Sequence, residues 1–339
     1  MALVVASQAC AEKKPPQPPS PVIVAVQWAA ASTIRRDAHG SDNWPLTWGD
    51  DDSLYAAYGD GQGFDPQVGR KLSLGFAKID GDPANFKGSN IRSTSGEQYG
   101  NGGAGRKASG MLMVDGVLWM WVRNANGRGE QCQLAWSEDR GVTWQWSDGV
   151  FGEFGHCTFI NFGKNYAGAR DEYVYMTTPD GPSAYETSDS FVLTRVHKDR
   201  IRDRSAYEFF TRLGPDHQPH WSANIADRGP VFSNPGNCRR SGISYDPGLG
   251  RYLWLQVLGT GTKRHVGGFG IYDAPEPWGP WTTVFLTERW DVGPGDAGSF
   301  PSKWMSADGR KAVLVFSGED AFSVRAVTFV ISPPDSQPH

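Results

Sequence analysis

Gly110-Met111-Leu112-Met113-Val114-Asp115-Gly116-Val117-Leu118-Trp119-Met120-Trp121 is the stretch on which the fold turns. Two apolar runs flank Asp-Gly, the dipeptide that accepts the positive-φ positions of a tight hairpin turn. Working outward, the same pairing of strand, turn and strand recurs at 44–48 with 54–58, at 158–162 with 173–176, at 242–245 with 252–256, and at 303–306 with 312–316. A third run follows each hairpin, at 72–79, 133–137, 191–197, 269–272 and 324–330, and a fourth is legible at 143–146, 207–211 and 281–285. The last unit ends without a fourth strand, which residues 22–28 can supply from the other end of the chain. The expectation is an all-β fold: a five-bladed β-propeller with four-stranded antiparallel blades, its ring closed by the N-terminal strand so that no edge is left open.

Composition agrees with many short strands. Among 339 residues there are 42 Gly, 23 Pro and 14 Trp, and no segment keeps a helical period through several turns. The net charge of −4 gives no global attraction to nucleic acid, and no apolar run is long enough to span a bilayer. Residues 1–10 read as a truncated signal peptide or a lipoprotein signal ending at Cys10, residues 11–21 as a Pro-rich linker, 22–331 as one propeller domain and 332–339 as a tail. That reading places the protein in the secreted or periplasmic space, with an outer-membrane lipoprotein as its variant, and as a monomer. The other cysteines, Cys132, Cys157 and Cys238, have no zinc-ligand spacing. Either one disulfide such as Cys132 to Cys157 or buried free thiols fit them.

Strand direction sorts the polar residues. In such a ring the positions just before the first strand of a blade and just after the second converge on one face, and the turns between them lie on the other. This puts Asp42, Asn43, Trp44 and Asp60 at the mouth in the first unit, Arg106, Lys107 and Arg123 in the second, and His156 and Asp180 in the third. Arg239, Arg240 and Gln256 follow in the fourth, and Lys303, Glu319 and Asp320 in the fifth. Asp50-Asp51-Asp52 falls in a turn on the opposite face, and the glycine-rich tract 96–105 reads as a flexible rim loop. Carboxylates mixed with guanidinium groups suit a polar, hydroxylated ligand, and arginine can grip a carboxylate or sulfate with two parallel bonds.

Ser137-Glu138-Asp139-Arg140-Gly141-Val142-Thr143-Trp144 matches the Asp-box turn of sialidase-like propellers. Gly40-Ser41-Asp42-Asn43-Trp44 and Tyr58-Gly59-Asp60-Gly61 resemble a bacterial five-bladed propeller family, formerly known only as a domain of unknown function, that includes endo-D-arabinanases. More distantly the chain resembles the arabinanase and β-xylosidase type of propeller glycosidase. The resemblance implies an acidic pair at Asp42 and Asp60, and a glycoside hydrolase acting on a polysaccharide, here one with anionic sugars because of the mouth arginines. Asp180, Glu319 or Asp320 could replace either acid, with the remaining mouth residues as substrate contacts. Two other readings stay open: a lyase acting on a uronate-containing glycan, with His156 or a tyrosine as base, and a non-catalytic carbohydrate-binding propeller with Trp44, Trp221 and Trp304 as stacking platforms. No cofactor or metal site is expected, a structural cation in the central channel being the one ion left open.

Overall fold

Residues 14–258 and 267–333 are described in the computed structural model. The expected leader with Cys10 and residues 334–339 of the tail lie outside the described residues. The hairpin that opened the sequence reading forms as expected: Lys107–Val114 pairs with Val117–Arg123, and Asp115 and Gly116 turn the corner at φ +50° and +80°. Its unit is completed by Cys132–Ser137 and Gln145–Phe151. The first unit is Asp42–Trp48, Leu54–Gly59, Leu72–Asp80 and Lys87–Ile91. The third begins Thr158–Asn161, Tyr173–Pro179, Ser188–His197 and Glu208–Leu213, and the fourth is Ser241–Asp246, Arg251–Val257, Phe269–Ala274 and Thr282–Thr287. These two share one sheet, because Ile160 and Asn161 pair in parallel with Ile243 and Ser244.

The fifth unit corrects the sequence reading. Its first strand is Gly298–Ser299, pairing with Lys311–Phe316, while Ser302–Trp304 is a turn of 3-10 helix rather than strand. Phe322–Ile331 follows, and Ile23–Trp28 lies along it as the expected outer strand. The Pro-rich segment before it is extended but not free. Ser20 N–H donates to Thr283 O (2.9 Å) and Thr283 N–H to Pro18 O (2.7 Å), tying it to the outer strand of the fourth unit.

Burial follows position in each unit. Leu54–Gly59, Lys107–Val114 and Arg251–Val257 are buried along their whole length, as strands covered on both faces must be, whereas Gln145–Phe151 and Lys87–Ile91 are largely open. The first strands lie against one another in cyclic order: Asp42–Trp48 on Lys107–Val114, that on Thr158–Asn161, that on Ser241–Asp246, that on Gly298–Ser299, which returns to Asp42–Trp48. Aromatic pairs fill the seams between units. Phe76 stacks on Trp144 (4.8 Å between centroids), Phe191 meets Trp254 (4.9 Å), and Trp44 meets Phe322 (5.2 Å). In the turn over 137–144, Asp139 accepts from Thr143 N–H (2.8 Å) and Ser137 Oγ accepts from Gly141 N–H (2.7 Å), which aims the buried Trp144 at that seam.

On the face opposite the mouth, Asp246 is wholly buried in the turn between the first two strands of the fourth unit. Burial pushes its carboxyl up to about 6 from 3.8, against the two N–H bonds from Leu249 and Gly248. A carboxyl whose folded pKa is raised destabilises the fold once it ionises. Stability therefore falls as pH rises from about 4 to about 6 and is level above that. Asp246→Asn, which cannot ionise, is expected to be more stable than the parent by about 2–3 kcal/mol at pH 8, with the gap closing near pH 4. Urea unfolding at the two pH values checks this, and a gap independent of pH would refute it.

Candidate active site

The two ends of the first hairpin meet at Ser41-Asp42 and Gly59-Asp60-Gly61. Glycine is needed on both sides of Asp60: a Cβ at Gly61 would run into Ser41, and one at Gly59 would stand 2.6 Å from Asn43 Nδ2. Asn43 and Trp44 take consecutive left-handed conformations (φ +75° and +67°), Asp60 a third (φ +49°), and the pairing of the two strands slips between Asn43 and Leu46. Left-handed backbone at three non-glycine positions is costly, and such cost collects where a side chain must be aimed.

Asp42 and Asp60 line one cavity of about 420 Å³, within the range of small-ligand clefts. It is shared with Lys107, Arg123, Tyr185, Arg239, Arg240 and Asp296. Asp60 forms an ion pair with Lys107, whose side chain is only 3% exposed, and accepts from Gly102 N–H (2.9 Å). Burial depresses the Lys107 ammonium below its usual range, opposed by Asp60. Arg240 pairs with Asp296 at 2.8 Å.

Arg123 is 1% exposed and reaches Asn43 Oδ1 (2.8 Å) through Nη2; Asn43 Nδ2 in turn donates to Asp42 Oδ1 (2.9 Å). The guanidinium thus holds the catalytic candidate through an amide. Its Nε and Nη1 have no hydrogen-bond partner among the described residues, nor has Nε of Arg239. Burial, with Arg240 next, lowers Arg123 to about 10. Gln256, 1% exposed, likewise has both side-chain polar atoms unpartnered. Buried donors left unmade are expensive, and of these residues Arg123 and Arg239 line the cavity whereas Gln256 lines neither the cavity nor the channel below.

Below the cavity a narrow channel of about 40 Å³ runs between the inner strands, lined by Asn43, Trp44, His156, Thr158, Asn161 and Ser299 among others. His156 is buried there and not in the upper cavity. Burial first, then Arg123 and Arg240, hold its imidazole well below 6.5, so it is neutral. No carboxylate lines the channel, so a divalent cation would find only neutral ligands; among the described residues no cluster of three or more metal-ligating side chains occurs.

Several expected contacts stand elsewhere. Lys303 is a correction: it binds Asp52 Oδ2 (3.1 Å) in the turn of the first unit, on the face away from the cavity, because it follows its blade's inner strand instead of preceding it. Trp44 and Trp304 are 2% and 6% exposed in the core and offer no open ring to a sugar, and Trp221 is packed among Tyr175, Phe210 and Trp278. Asp180 is paired with Arg228 (2.8 Å), Glu319 with Arg36 (2.9 Å), and Arg106 lies over Trp146; none of them lines the cavity. Asp320 supports the site through its backbone oxygen, which accepts from Gly40 and Ser41 N–H (2.6 and 3.0 Å). Cys132 and Cys157 are free, buried thiols, with Cys157 N–H on Cys132 Sγ (3.0 Å).

Two contributors were not legible. Asp296 precedes the true inner strand of the fifth unit and was hidden by the misplacement of that strand. Gly102 and Gly103, read as a flexible loop, line the cavity, and Asn124 Nδ2 fastens their loop through Gly103 O (3.0 Å) and Gly105 O (2.8 Å). The glycine next to Asn101 and the buried Asn124 were the available signal.

The all-β fold so assembled is one that solved glycosidases share. No protein-family model and no curated protein matches the chain. Among solved structures, RS223 β-xylosidase is similar with a TM-score of 0.51 and 12% identity over 90% of this chain and 97% of its own. An α-L-arabinofuranosidase from Podospora anserina in complex with cellotriose gives 0.51 and 11% over 93% and 99%, and a GH43_1 enzyme from Xanthomonas citri 0.51 and 11% over 90% and 93%. At these identities the likeness is one of fold.

Proposed function

We propose that this chain is a glycoside hydrolase acting on a polysaccharide with anionic sugars, working in the mouth of a closed five-bladed ring. The cyclic contact of the first strands and the pairing of Ile23–Trp28 with the last strand support the ring. The observation that carries the function is the convergence of Asp42 and Asp60 on one cavity together with buried, incompletely bonded arginines. Hydrolysis of a glycosidic bond needs one carboxyl to protonate the leaving oxygen and a second carboxylate as nucleophile or as base for water. Asp60, paired with Lys107 and bonded by Gly102 N–H, is assigned the second role, and Asp42 proton donation. Arg123 and Arg239 would receive the sugar's carboxylate or sulfate.

His156 is displaced into the channel and so is removed as the base of a β-elimination; Tyr185 lines the cavity, and product absorbance separates the two reactions. The test is product analysis of the exported or cytoplasmically expressed full chain against neutral, uronate-containing and sulfated polysaccharides, following reducing ends and near-ultraviolet absorbance together. New reducing ends without absorbance, confined to anionic glycans, are expected. Absorbance would establish a lyase instead, and neither signal on any glycan would leave a binding propeller.

A further inference from the structure

The first unit carries one short strand beyond the four of its sheet. Gln98–Tyr99 pairs with the mouth end of Leu72–Asp80, where Leu72 lies between Tyr99 on one side and Gly61, the neighbour of Asp60, on the other. At about 4.8 Å per strand, the Tyr99 backbone therefore stands roughly 10 Å outward from that of Gly61. Ser73 Oγ holds the short strand through Gln98 O (3.2 Å), and the chain runs from it into the loop whose Gly102 N–H bonds Asp60. Tyr99 is 55% exposed and is the one open Phe, Tyr or Trp among the described residues. Arg70, also exposed, sets its guanidinium 4.1 Å from the centroid of that ring. Arg195, Arg202 and Arg204 stack on rings as well, but each is bonded to a carboxylate. Arg70 has no hydrogen bond or ion pair among the described residues.

We propose that Tyr99 and Arg70 form an outer subsite of the central cleft, which takes a further anionic sugar unit of the same glycan; that the cleft cleaves such a glycan rests on the function proposed above. The occupant follows from the pair. A guanidinium stacked on a ring uses its flat face and leaves its N–H fork free, the geometry that grips a carboxylate or sulfate with two bonds. A tyrosine ring left open beside that fork offers an apolar surface to the C–H face of a sugar. The charges on residues 65–71 and 92–99, Arg70, Lys71 and Arg92 against Asp65 and Glu97, sum to +1, which attracts an anionic chain. Free phosphate or sulfate would satisfy the arginine alone and leave the open ring without a role. Position supplies the rest: a polymer held at Asp42 and Asp60 that leaves the cavity past Gly61 meets Tyr99 next.

The test uses the full chain with Tyr99→Ala and Arg70→Gln, two changes at exposed positions that break no side-chain hydrogen bond or ion pair among the described residues. Retention in native gels cast with polygalacturonate, a sulfated galactan or neutral arabinan is compared in an Asp42→Asn background. Turnover of each polymer is measured in the active background. Each change is expected to cut retention on an anionic gel by about tenfold, and to raise KM for that polymer as much while kcat holds. Arg70→Lys, which keeps the charge without the fork, recovers little. Unchanged retention in both variants, or a parent that none of the gels retains, would overturn the subsite. Loss confined to Tyr99→Ala, or equal on neutral and anionic gels, would overturn an anionic occupant. Retention that the variants lose, in a chain that cleaves no glycan of the panel, would uphold the subsite and overturn only the hydrolase reading.

Discussion

Asp42→Asn and Asp60→Asn are each expected to reduce glycan turnover by about 10²–10⁴-fold or more, with the double variant scarcely worse than either alone, since the proposed acid and its partner carboxylate would act as a unit. The two differ in what they do to the fold. Asp60 balances Lys107, a nearly buried ammonium, so Asp60→Asn leaves that charge unpaired and should cost about 3–5 kcal/mol of stability. Adding Lys107→Met to Asp60→Asn removes the stranded charge and should restore much of that stability while turnover stays lost. Turnover and urea unfolding measured on the four proteins separate chemistry from structure. Full activity in Asp42→Asn would remove Asp42 from the mechanism, and activity that returns with stability when Lys107→Met is added to Asp60→Asn would make Asp60 a structural counter-ion only.

Arg123→Met is expected to make the protein more stable and functionally poor. The ionised guanidinium is held in a site that lowers its pKa from 12.5 to about 10, a cost of roughly 3 kcal/mol against the charged form. Methionine removes that cost but strands Asn43 Oδ1, which returns about 1 kcal/mol, so a net gain of about 2 kcal/mol is expected. Function moves the other way. Loss of a buried partner for an anionic group should weaken binding of a uronate or sulfated oligosaccharide by about 2–5 kcal/mol, at least some thirtyfold, and release of Asn43 lets Asp42 drift. Arg123→Lys would retain the charge without the fork that reaches both Asn43 and a ligand, and should recover little. Calorimetric binding to a neutral and an anionic oligosaccharide, alongside thermal unfolding, is the measurement. Equal losses for both ligands would assign Arg123 to positioning Asp42 alone.

Such a trade of stability for function is what a strained and under-bonded mouth implies. The unpartnered atoms of Arg123 and Arg239 belong to residues that line the cavity, and the left-handed Asn43 and Trp44 line the channel and adjoin Asp42 in sequence. In the turn of Asp50 to Asp52 on the opposite face, by contrast, Arg140, Lys78 and Lys303 each take one carboxylate.

How far the sequence could be read depended on whether a feature is local. A hairpin such as 107–123 is specified by its own turn and its own apolar runs, so its strands and register were legible, as was the pairing of Ile23–Trp28 with the last strand, whose unit has no fourth strand of its own. The pair Asp42 and Asp60 was legible for the same reason, since hairpin geometry alone returns the second strand to the start of the first. The failure at Lys303 was also local in origin: Lys303-Trp304-Met305-Ser306 has a strand-like pattern, but tertiary contact of Trp304 with Phe86 and of Ser302 Oγ with Phe162 O (2.5 Å) holds it as a 3-10 turn. What only the tertiary structure decided is which mouth residues meet. Asp180 and Glu319 were taken by Arg228 and Arg36, His156 sank into the channel, and Asp296 and Gly102 were brought in by loops whose course no periodicity encodes. Periodicity reports which face of a strand is buried, a property of one segment; the meeting of charges across a ring depends on the packing of every segment at once.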